Sequence, residues 1–300
     1  MNRISSWINA ARLRTLPLSI SGILVGSSIA AYDGHFNLAI FSLALGTTLG
    51  LQILSNFAND YGDGVKGTDN EDRIGPARAI QSGLITQKEM FQAMIITAVA
   101  TLLLAILLIY AAFGSENILS AIIFFLLGVA AIVAAIKYTV GNSAYGYRGM
   151  GDIFVFLFFG LVAVYGSYYL YSHDHEIVSV FPAISMGLLS VAVLNLNNLR
   201  DRISDEKAGK ITLVVKLGDR KAKDYHYILI LGALFCLLIY SAITSSELND
   251  FIYVLAFIPL IFHLKRVVTN EDPKKLDPEL KIVALSTFGI ALLFALGLIW

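Results

Sequence analysis

Charge is scarce in this sequence. Only 15% of its 300 residues are Asp, Glu, Lys or Arg, where soluble domains carry about 25%, so an ordinary soluble globule is excluded. The 22 basic and 22 acidic residues cancel, which leaves no net field to draw nucleic acid. Cysteine is rarer still. Cys236 stands alone in an apolar run, so an internal disulfide framework and any Cys-rich zinc or iron–sulfur site are excluded. Six prolines and 24 glycines are too few for a collagen-like or low-complexity chain. The five histidines do not form a metal set: His35, His173 and His175 fall on one side of the chain's topology, and His226 and His263 stand alone.

What is abundant is apolar sequence, 57% of the chain. A helix needs about 20 apolar residues to cross the hydrocarbon core of a bilayer. Such runs recur at residues 15–32, 38–57, 89–113, 118–138, 152–171, 178–199, 225–243, 250–268 and 280–300. The runs are continuous rather than alternating, and backbone groups in lipid must pair internally, so the expected fold is all-α: about nine transmembrane helices around a central cavity, in a single domain covering residues 1–300. Arg12 and Arg14 interrupt the start of the chain, so residues 1–14 read as a basic amphipathic lead-in to a retained first helix, not as a cleavable signal.

Orientation follows from Lys and Arg placement. With the N-terminus in the cytoplasm, nine spans put all 22 basic residues on the cytoplasmic side, and the opposite loops, residues 33–37, 114–117, 172–177 and 244–249, carry none. The C-terminus then lies on the opposite side, and the central cavity is expected to open to the cytoplasm.

The chemistry concentrates in two long polar segments on that side, residues 59–88 and 200–224. Asn56, Asn59, Asp60 and Asp63 lead into the first; Asn195, Asn198, Asp201 and Asp205 lead into the second. Both read as Asn-x-x-Asn followed by spaced carboxylates, which has the look of an internal repeat. Asp60 and Asp63 are i, i+3 and Asp201 and Asp205 are i, i+4, so each pair shares a helix face. Amides and carboxylates at the ends of apolar helices are costly there and point to a polar cavity. Converging carboxylates need a cation between them, and hard oxygen ligands favour Mg²⁺, which commonly shares its shell with substrate phosphates. Lys66, Arg73, Arg78, Arg202, Lys207 and Lys210 interleave with the acids, the residue types that grip phosphate oxygens. Either acidic motif by itself would read as a solvated cap; the two together read as a metal–diphosphate site. Arg220, Lys221 and Lys223 read as topology determinants only. The third loop on this side, residues 141–152, brings Tyr145 and Tyr147 to the same face as Tyr138. There Asp152 is either an N-cap or a polar wall for an acceptor.

These motifs resemble those of the UbiA superfamily of intramembrane prenyltransferases. Within it, Asn59-Asp60-Tyr61-Gly62-Asp63, Lys66-Gly67-Thr68-Asp69, Asp72-Arg73-Ile74-Gly75-Pro76 and Gln81-Ser82-Gly83 are similar to the first signature of the branch that acts on 1,4-dihydroxy-2-naphthoate in menaquinone biosynthesis. The middle signature is matched by Tyr147-Arg148-Gly149-Met150-Gly151-Asp152, with Met150 in place of Leu. The third is matched by Asn197-Asn198-Leu199-Arg200-Asp201, Asp205 and Lys207 to Leu213. Gly67 stands where the wider superfamily often has a further Asp, and the acid falls at Asp69 instead.

The resemblance implies an enzyme of the bacterial inner membrane that moves a polyprenyl group from its diphosphate to an aromatic ring, in this branch with loss of CO₂. It implies catalytic Asp60, Asp63, Asp201 and Asp205, with Mg²⁺ on these and Asn56. It implies diphosphate binding by Lys66, Arg73, Arg78, Lys207 and Lys210, and an acceptor or cation pocket of Asn56, Asn59, Tyr138, Tyr145, Tyr147, Asp152 and Asn198. Membrane lipid is the expected surrounding partner. Other acceptors, 4-hydroxybenzoate or homogentisate, stay open. So does a secondary transporter, which repeated motifs and intramembrane acids would suit, although here the acids sit at one face.

Overall fold

The computed structural model describes residues 2–68, 78–244 and 247–300. Arg73, Asp69 and Asp72 therefore lie outside the described residues. Nine stretches among those described are helical, long and apolar enough to cross a membrane.

The first of these is broken. A short amphipathic helix, α1 (Arg3–Ala11), is capped by Asn2, whose side chain accepts from the Ser5 amide. It ends at Arg12, a non-glycine residue in the left-handed region at φ 50°, which costs about 1–2 kcal/mol. Trp7 on α1 packs edge-on against Phe57 at 5.7 Å between ring centroids. After a 3₁₀ turn (Leu13–Thr15), α2 (Leu16–Tyr32) begins with Pro17 in its first turn, where a missing N–H is no loss. α3 (Leu38–Lys66) starts at an Asn37 cap and stops at Gly67, φ 70°. α4 (Gln87–Phe113) opens with a capping box between Thr86 and Glu89, and α5 (Ile118–Lys137) returns to the end carrying the basic loops. α6 (Gly151–Ser172) contains a stretch of π-helix, Phe156–Gly166. α7 (Ile177–Lys207), α8 (Leu213–Thr244), α9 (Leu248–Val268) and α10 (Pro273–Ile299) complete the bundle. α8 kinks at Gly218 (φ 75°, ψ 170°), and the first half of α9 is 3₁₀.

Three helices outrun their apolar runs at one end by eight residues or more. α3 continues nine residues past Phe57 and α7 eight past Leu199, both on the basic-loop side. The acidic motifs are therefore helical and do not open the loops. α8 begins at Leu213, well before the apolar run at Tyr225. In each case polar residues extend a helix that has already left the hydrocarbon. α6 lies between α2 and α7, and glycine permits both contacts: a Cβ at Gly26 would meet Ser167 Oγ at 2.1 Å, and one at Gly160 would meet the Ala183 carbonyl at 2.6 Å. Small residues of this kind let membrane helices approach closely. α10 closes against α2 and α9. The lining of the large cavity comes from α1 to α7 and α10; α8 and α9 contribute none of it. The outward faces of α4 and α5 expose Ile96, Leu103, Leu119 and Leu126, as a lipid-facing surface requires.

Two expectations need correction here. His226 and His263 do not stand alone: their Nε2 atoms are 2.8 Å apart, and His263 Nδ1 lies 2.6 Å from Glu279, which also binds Arg266. Lys223 is more than a topology residue, since its buried ammonium donates to the Asn270 carbonyl at 2.6 Å and pairs with Asp219.

Candidate active site

The ends of α3 and α7 on the basic-loop side carry the two aspartate pairs. Helical continuation through Lys66 and Lys207 keeps each pair on one face. The two faces meet in a narrow polar crevice lined by Asp63, Asp201, Asp205, Asn197, Arg78 and Lys210. This crevice sits at the polar end of a cavity of about 960 Å³ whose remaining wall is largely apolar.

Asp60 faces that larger cavity. It is 2% exposed and is held by two guanidiniums: Arg12 Nη2 donates at 2.7 Å and Arg78 Nη1 at 2.6 Å, both to Oδ1. Arg78 Nη2 also stands 3.8 Å from Asp63. The left-handed turn at Arg12 is what brings the N-terminal segment back over Asp60. Asp63 accepts from the Tyr147 hydroxyl at 2.8 Å, and that hydroxyl is 2.5 Å from Thr68 Oγ1. Asp201 is gripped by Arg200 through both oxygens, at 2.8 and 2.6 Å. Asp205 pairs with Lys210 at 3.4 Å through Oδ1, while its buried Oδ2 has no partner.

Lys210 lies between α7 and α8. Burial disfavours its charge, but the carboxylates of Asp63, Asp205 and Asp201 outweigh burial and raise its pKa above the ordinary lysine value. Tyr147, in the loop before α6, is pushed up first by burial and then by Asp63, so its hydroxyl remains a donor. Burial likewise raises Tyr138 and Tyr145.

The remaining expected site residues fall into two groups. Asn59, Tyr138 and Tyr145 are on the cavity wall with Asn56. Tyr145 stacks on Phe154 at 4.0 Å, with Tyr138 edge-on to it at 5.3 Å. Asn56 spends its amide on the N-terminal segment, donating to the Ala11 carbonyl at 2.9 Å. The others stand outside both linings. Lys66 donates to the Thr139 carbonyl at 2.7 Å and sits 3.9 Å over the Tyr147 ring, so it braces the wall from behind. Lys207 is exposed at the end of α7. Asp152 and Asn198 are buried, each with one unpartnered oxygen. Asn195 is fully buried in mid-helix with no partner for either side-chain atom.

Several lining residues carry no role in the sequence reading: Arg12, Asn197, Arg200, Ser204 and Asp277. Asn197 and Ser204 each lie one residue from a named position, Asn198 and Asp205, so finer helical phasing of the second motif finds them. Arg12 and Asp277 lie far away in sequence and give no local signal.

The donor set suits a hard divalent cation. The uncommitted Asp205 Oδ2 is a buried oxygen in a crevice shared with Asp63 and Asp201. Among the described residues no three His, Cys, Asp or Glu side chains form a group that encloses an ion. An ion here would take its other ligands from water or a bound phosphate, the usual arrangement for Mg²⁺.

The profile of the UbiA prenyltransferase family matches residues 19–285. The chain is 44% identical to the 1,4-dihydroxy-2-naphthoate octaprenyltransferase of Escherichia coli, over 99% of this chain and 96% of that protein. It is 44% identical to the Haemophilus influenzae protein of the same name, over 99% and 96%. Its backbone is similar to the solved structure of a UbiA homologue from Archaeoglobus fulgidus, with a TM-score of 0.64 at 16% identity over 96% of this chain and 99% of that one. That homologue has also been solved bound to DMAPP and Mg²⁺.

Proposed function

This chain belongs to the UbiA prenyltransferase family, and on that premise we propose that it transfers a polyprenyl group from polyprenyl diphosphate to 1,4-dihydroxy-2-naphthoate, with loss of CO₂. The observation that carries the reading is the junction of a charged crevice with a large apolar cavity. One end suits a diphosphate and the other an isoprenoid tail, within a membrane bundle from which the tail need never enter water.

The reaction breaks the allylic C–O bond to diphosphate, forms a C–C bond to the naphthalene ring carbon that bears the carboxylate, and breaks the bond to that carboxylate. Negative charge grows on the departing diphosphate. Arg78 and Lys210 line the crevice where it would sit, and Arg12 stands at the adjoining mouth, so positive charge is in place before the bond breaks. Asp63, Asp201 and Asp205 would hold Mg²⁺, which when bound neutralises diphosphate charge. Asp60 keeps Arg12 and Arg78 aimed at the mouth. Tyr138, Tyr145 and Phe154 present aromatic faces to the same end of the cavity, where developing allylic positive charge is stabilised by ring quadrupoles. The apolar wall keeps water from that carbon.

The N-terminus is assigned to the cytoplasm and the C-terminus to the opposite side of a bacterial inner membrane, supported by the basic residues on the site's side. A phosphatase fused after Trp300 would then be active, and one fused at Lys210 inactive.

The deciding assay uses purified protein, naphthoate labelled in its carboxylate, and polyprenyl diphosphate, with and without Mg²⁺. Labelled CO₂ and prenylated product, both lost on metal removal, are expected. Product from 4-hydroxybenzoate or homogentisate but not from the naphthoate would overturn the acceptor.

A further inference from the structure

The α-helical part of α10 runs from Asp277 to Ile299, after a 3₁₀ turn at Pro273–Leu276. Leu276 at its cap position offers the first amides no side-chain acceptor. Two carboxylates hold this turn instead. Asp277 and Glu279 stand two residues apart, about 200° around the helix, so they point to opposite sides. Asp277 lines the large cavity and Glu279 does not. Asp277 accepts from Arg200 Nη1 on α7 at 2.6 Å. Glu279 turns to α9, where it accepts from Arg266 Nε at 2.6 Å and Nη2 at 3.0 Å, and from His263 Nδ1 at 2.6 Å.

Glu279 is 7% exposed, and His226 and His263 are fully buried. With His263 Nδ1 donating to the carboxylate, its Nε2 is left to face His226 Nε2 on α8, at 2.8 Å; the Glu279 contact sets which nitrogen carries the proton. The first turn of α10 is thus tied to α9 and, through the two rings, to α8. A buried carboxylate in a membrane bundle is costly and invites a functional reason. Glu279 lines neither the cavity nor the crevice, so that reason is not contact with substrate. Polar glue between helices would serve at any height along α10. This carboxylate sits in the one turn that carries Asp277.

From Asp277 the contacts lead into the site. Arg200 holds Asp201 through both oxygens, and its Nη2 also donates to Asn197 Oδ1 at 2.9 Å. Asp201 and Asn197 both line the crevice. Asp277 takes the remaining arm of the guanidinium, so the plane of Arg200, and with it the direction of Asp201, follows where the first turn of α10 sits.

We infer that Glu279 is a positioning residue for the metal–diphosphate crevice: held by Arg266 and His263, it fixes the roll of α10 so that Asp277 holds Arg200 and Arg200 aims Asp201. The inference rests on the metal–diphosphate reading above. A misplacement of about 1 Å, caused far from the chemistry, costs about a hundredfold in rate.

The test uses full-length wild type, Glu279→Gln, Arg266→Gln, Asp277→Asn, Lys223→Ala and the double variant Glu279→Gln/Asp277→Asn. The first readout needs no turnover: the rise in melting point produced by Mg²⁺ with inorganic pyrophosphate, since a ligand of the folded state raises it. Glu279→Gln and Asp277→Asn should each gain less than wild type, whatever their starting melting points. Lys223→Ala loosens the same corner of the bundle without touching Asp277 or Glu279; it should start lower and gain as much as wild type. In turnover, Glu279→Gln should lower kcat by at least about tenfold, leave KM for the naphthoate near wild type, and raise the Mg²⁺ needed for half-maximal rate. Added to Asp277→Asn, the same substitution should cost nothing further, because both act through one contact. An equal fold loss in both backgrounds, or an undiminished gain from Mg²⁺ and pyrophosphate in Glu279→Gln, would overturn the inference and leave Glu279 as helix glue. Arg266 is half exposed, so Arg266→Gln, which strips two of the three donors from Glu279, decides by the same melting gain if Glu279→Gln fails to fold. A wild type that gains nothing from Mg²⁺ and pyrophosphate would overturn the metal reading and this inference with it. One that gains but prenylates no naphthoate would overturn the acceptor alone, with the melting comparison still deciding the role of Glu279.

Discussion

Arg200 grips the side chain of its own neighbour, Asp201, with Nε donating to Oδ1 at 2.8 Å and Nη2 to Oδ2 at 2.6 Å. Its remaining arm, Nη1, reaches Asp277 at the start of α10, also at 2.6 Å. Arg200 is 2% exposed, so the pair is buried and the guanidinium fixes where Asp201 points. Removing one member of a buried ion pair costs about 3–5 kcal/mol, because the other charge is left uncompensated. Arg200→Gln should therefore lower stability in detergent by about 3 kcal/mol and abolish turnover. Asp277→Asn, which removes only the more exposed partner, should keep most of the stability. Thermal melts of the two variants side by side check this; equal melting points would sink it.

The hydroxyl of Tyr147 links the first aspartate motif to the loop before α6. It donates to Asp63 at 2.8 Å, while Lys66 rests on the ring face at 3.9 Å. Tyr147→Phe keeps the ring and its cation contact and removes only the donor. A hydrogen bond to a charged group contributes about 1.5–3 kcal/mol to the folded state, so the variant should lose about that much stability, and kcat/KM should fall by about tenfold or more because Asp63 is no longer held in place. A variant with wild-type kinetics would show that Asp63 needs no such support.

Local spacing in the sequence carried the parts of this site that are local in space. Asp60 with Asp63, and Asp201 with Asp205, share helix faces because both motifs lie inside helices. The apolar runs and one-sided basic residues mark nine spans because lipid imposes length and composition directly. What escaped depends on contacts between distant residues. Arg12 reaches Asp60 across 48 positions, Arg200 reaches Asp277 across 77, and His226 meets His263 across 37. The π-helical stretch of α6 escaped for another reason. Phe156–Gly166 is apolar on every side, so it has no periodicity from which to tell 4.4 residues per turn from 3.6. Spacing does not separate Asn197 from Asn198: adjacent residues differ by about 100° around a helix, and the sequence does not say which one faces the crevice.

Lys210 sets an expectation for pH. Burial lowers its pKa, and Asp63, Asp205 and Asp201 raise it by more, so the folded value lies above the unfolded one. For an amine raised on folding, the stabilising charge is fully present below the unfolded pKa of about 10.4. It is lost only as pH rises through the higher folded value. Between about pH 7 and pH 9, Lys210 should therefore contribute no inflection to activity or stability. The ratio of wild-type to Lys210→Met kcat/KM, measured across that window, should be large and constant. A ratio that shrinks toward pH 9 would mean that the ammonium is titrating.

Lys221 and Lys223 stand two residues apart on α8 and should behave differently. Lys221 is exposed, and Lys221→Ala should be silent in both activity and melting. Lys223 is buried against the turn between α9 and α10, where its ammonium donates to the Asn270 carbonyl and pairs with Asp219. Asp219 is half exposed and its ion pair is screened, so most of the stabilisation comes from the carbonyl contact. Lys223→Ala should cost about 1–2 kcal/mol without changing KM for either substrate, because α8 contributes nothing to the cavity wall. Melting curves and steady-state kinetics on both variants separate the cases. A raised KM in Lys223→Ala with an unchanged melting point would mean that this segment reaches the substrate after all.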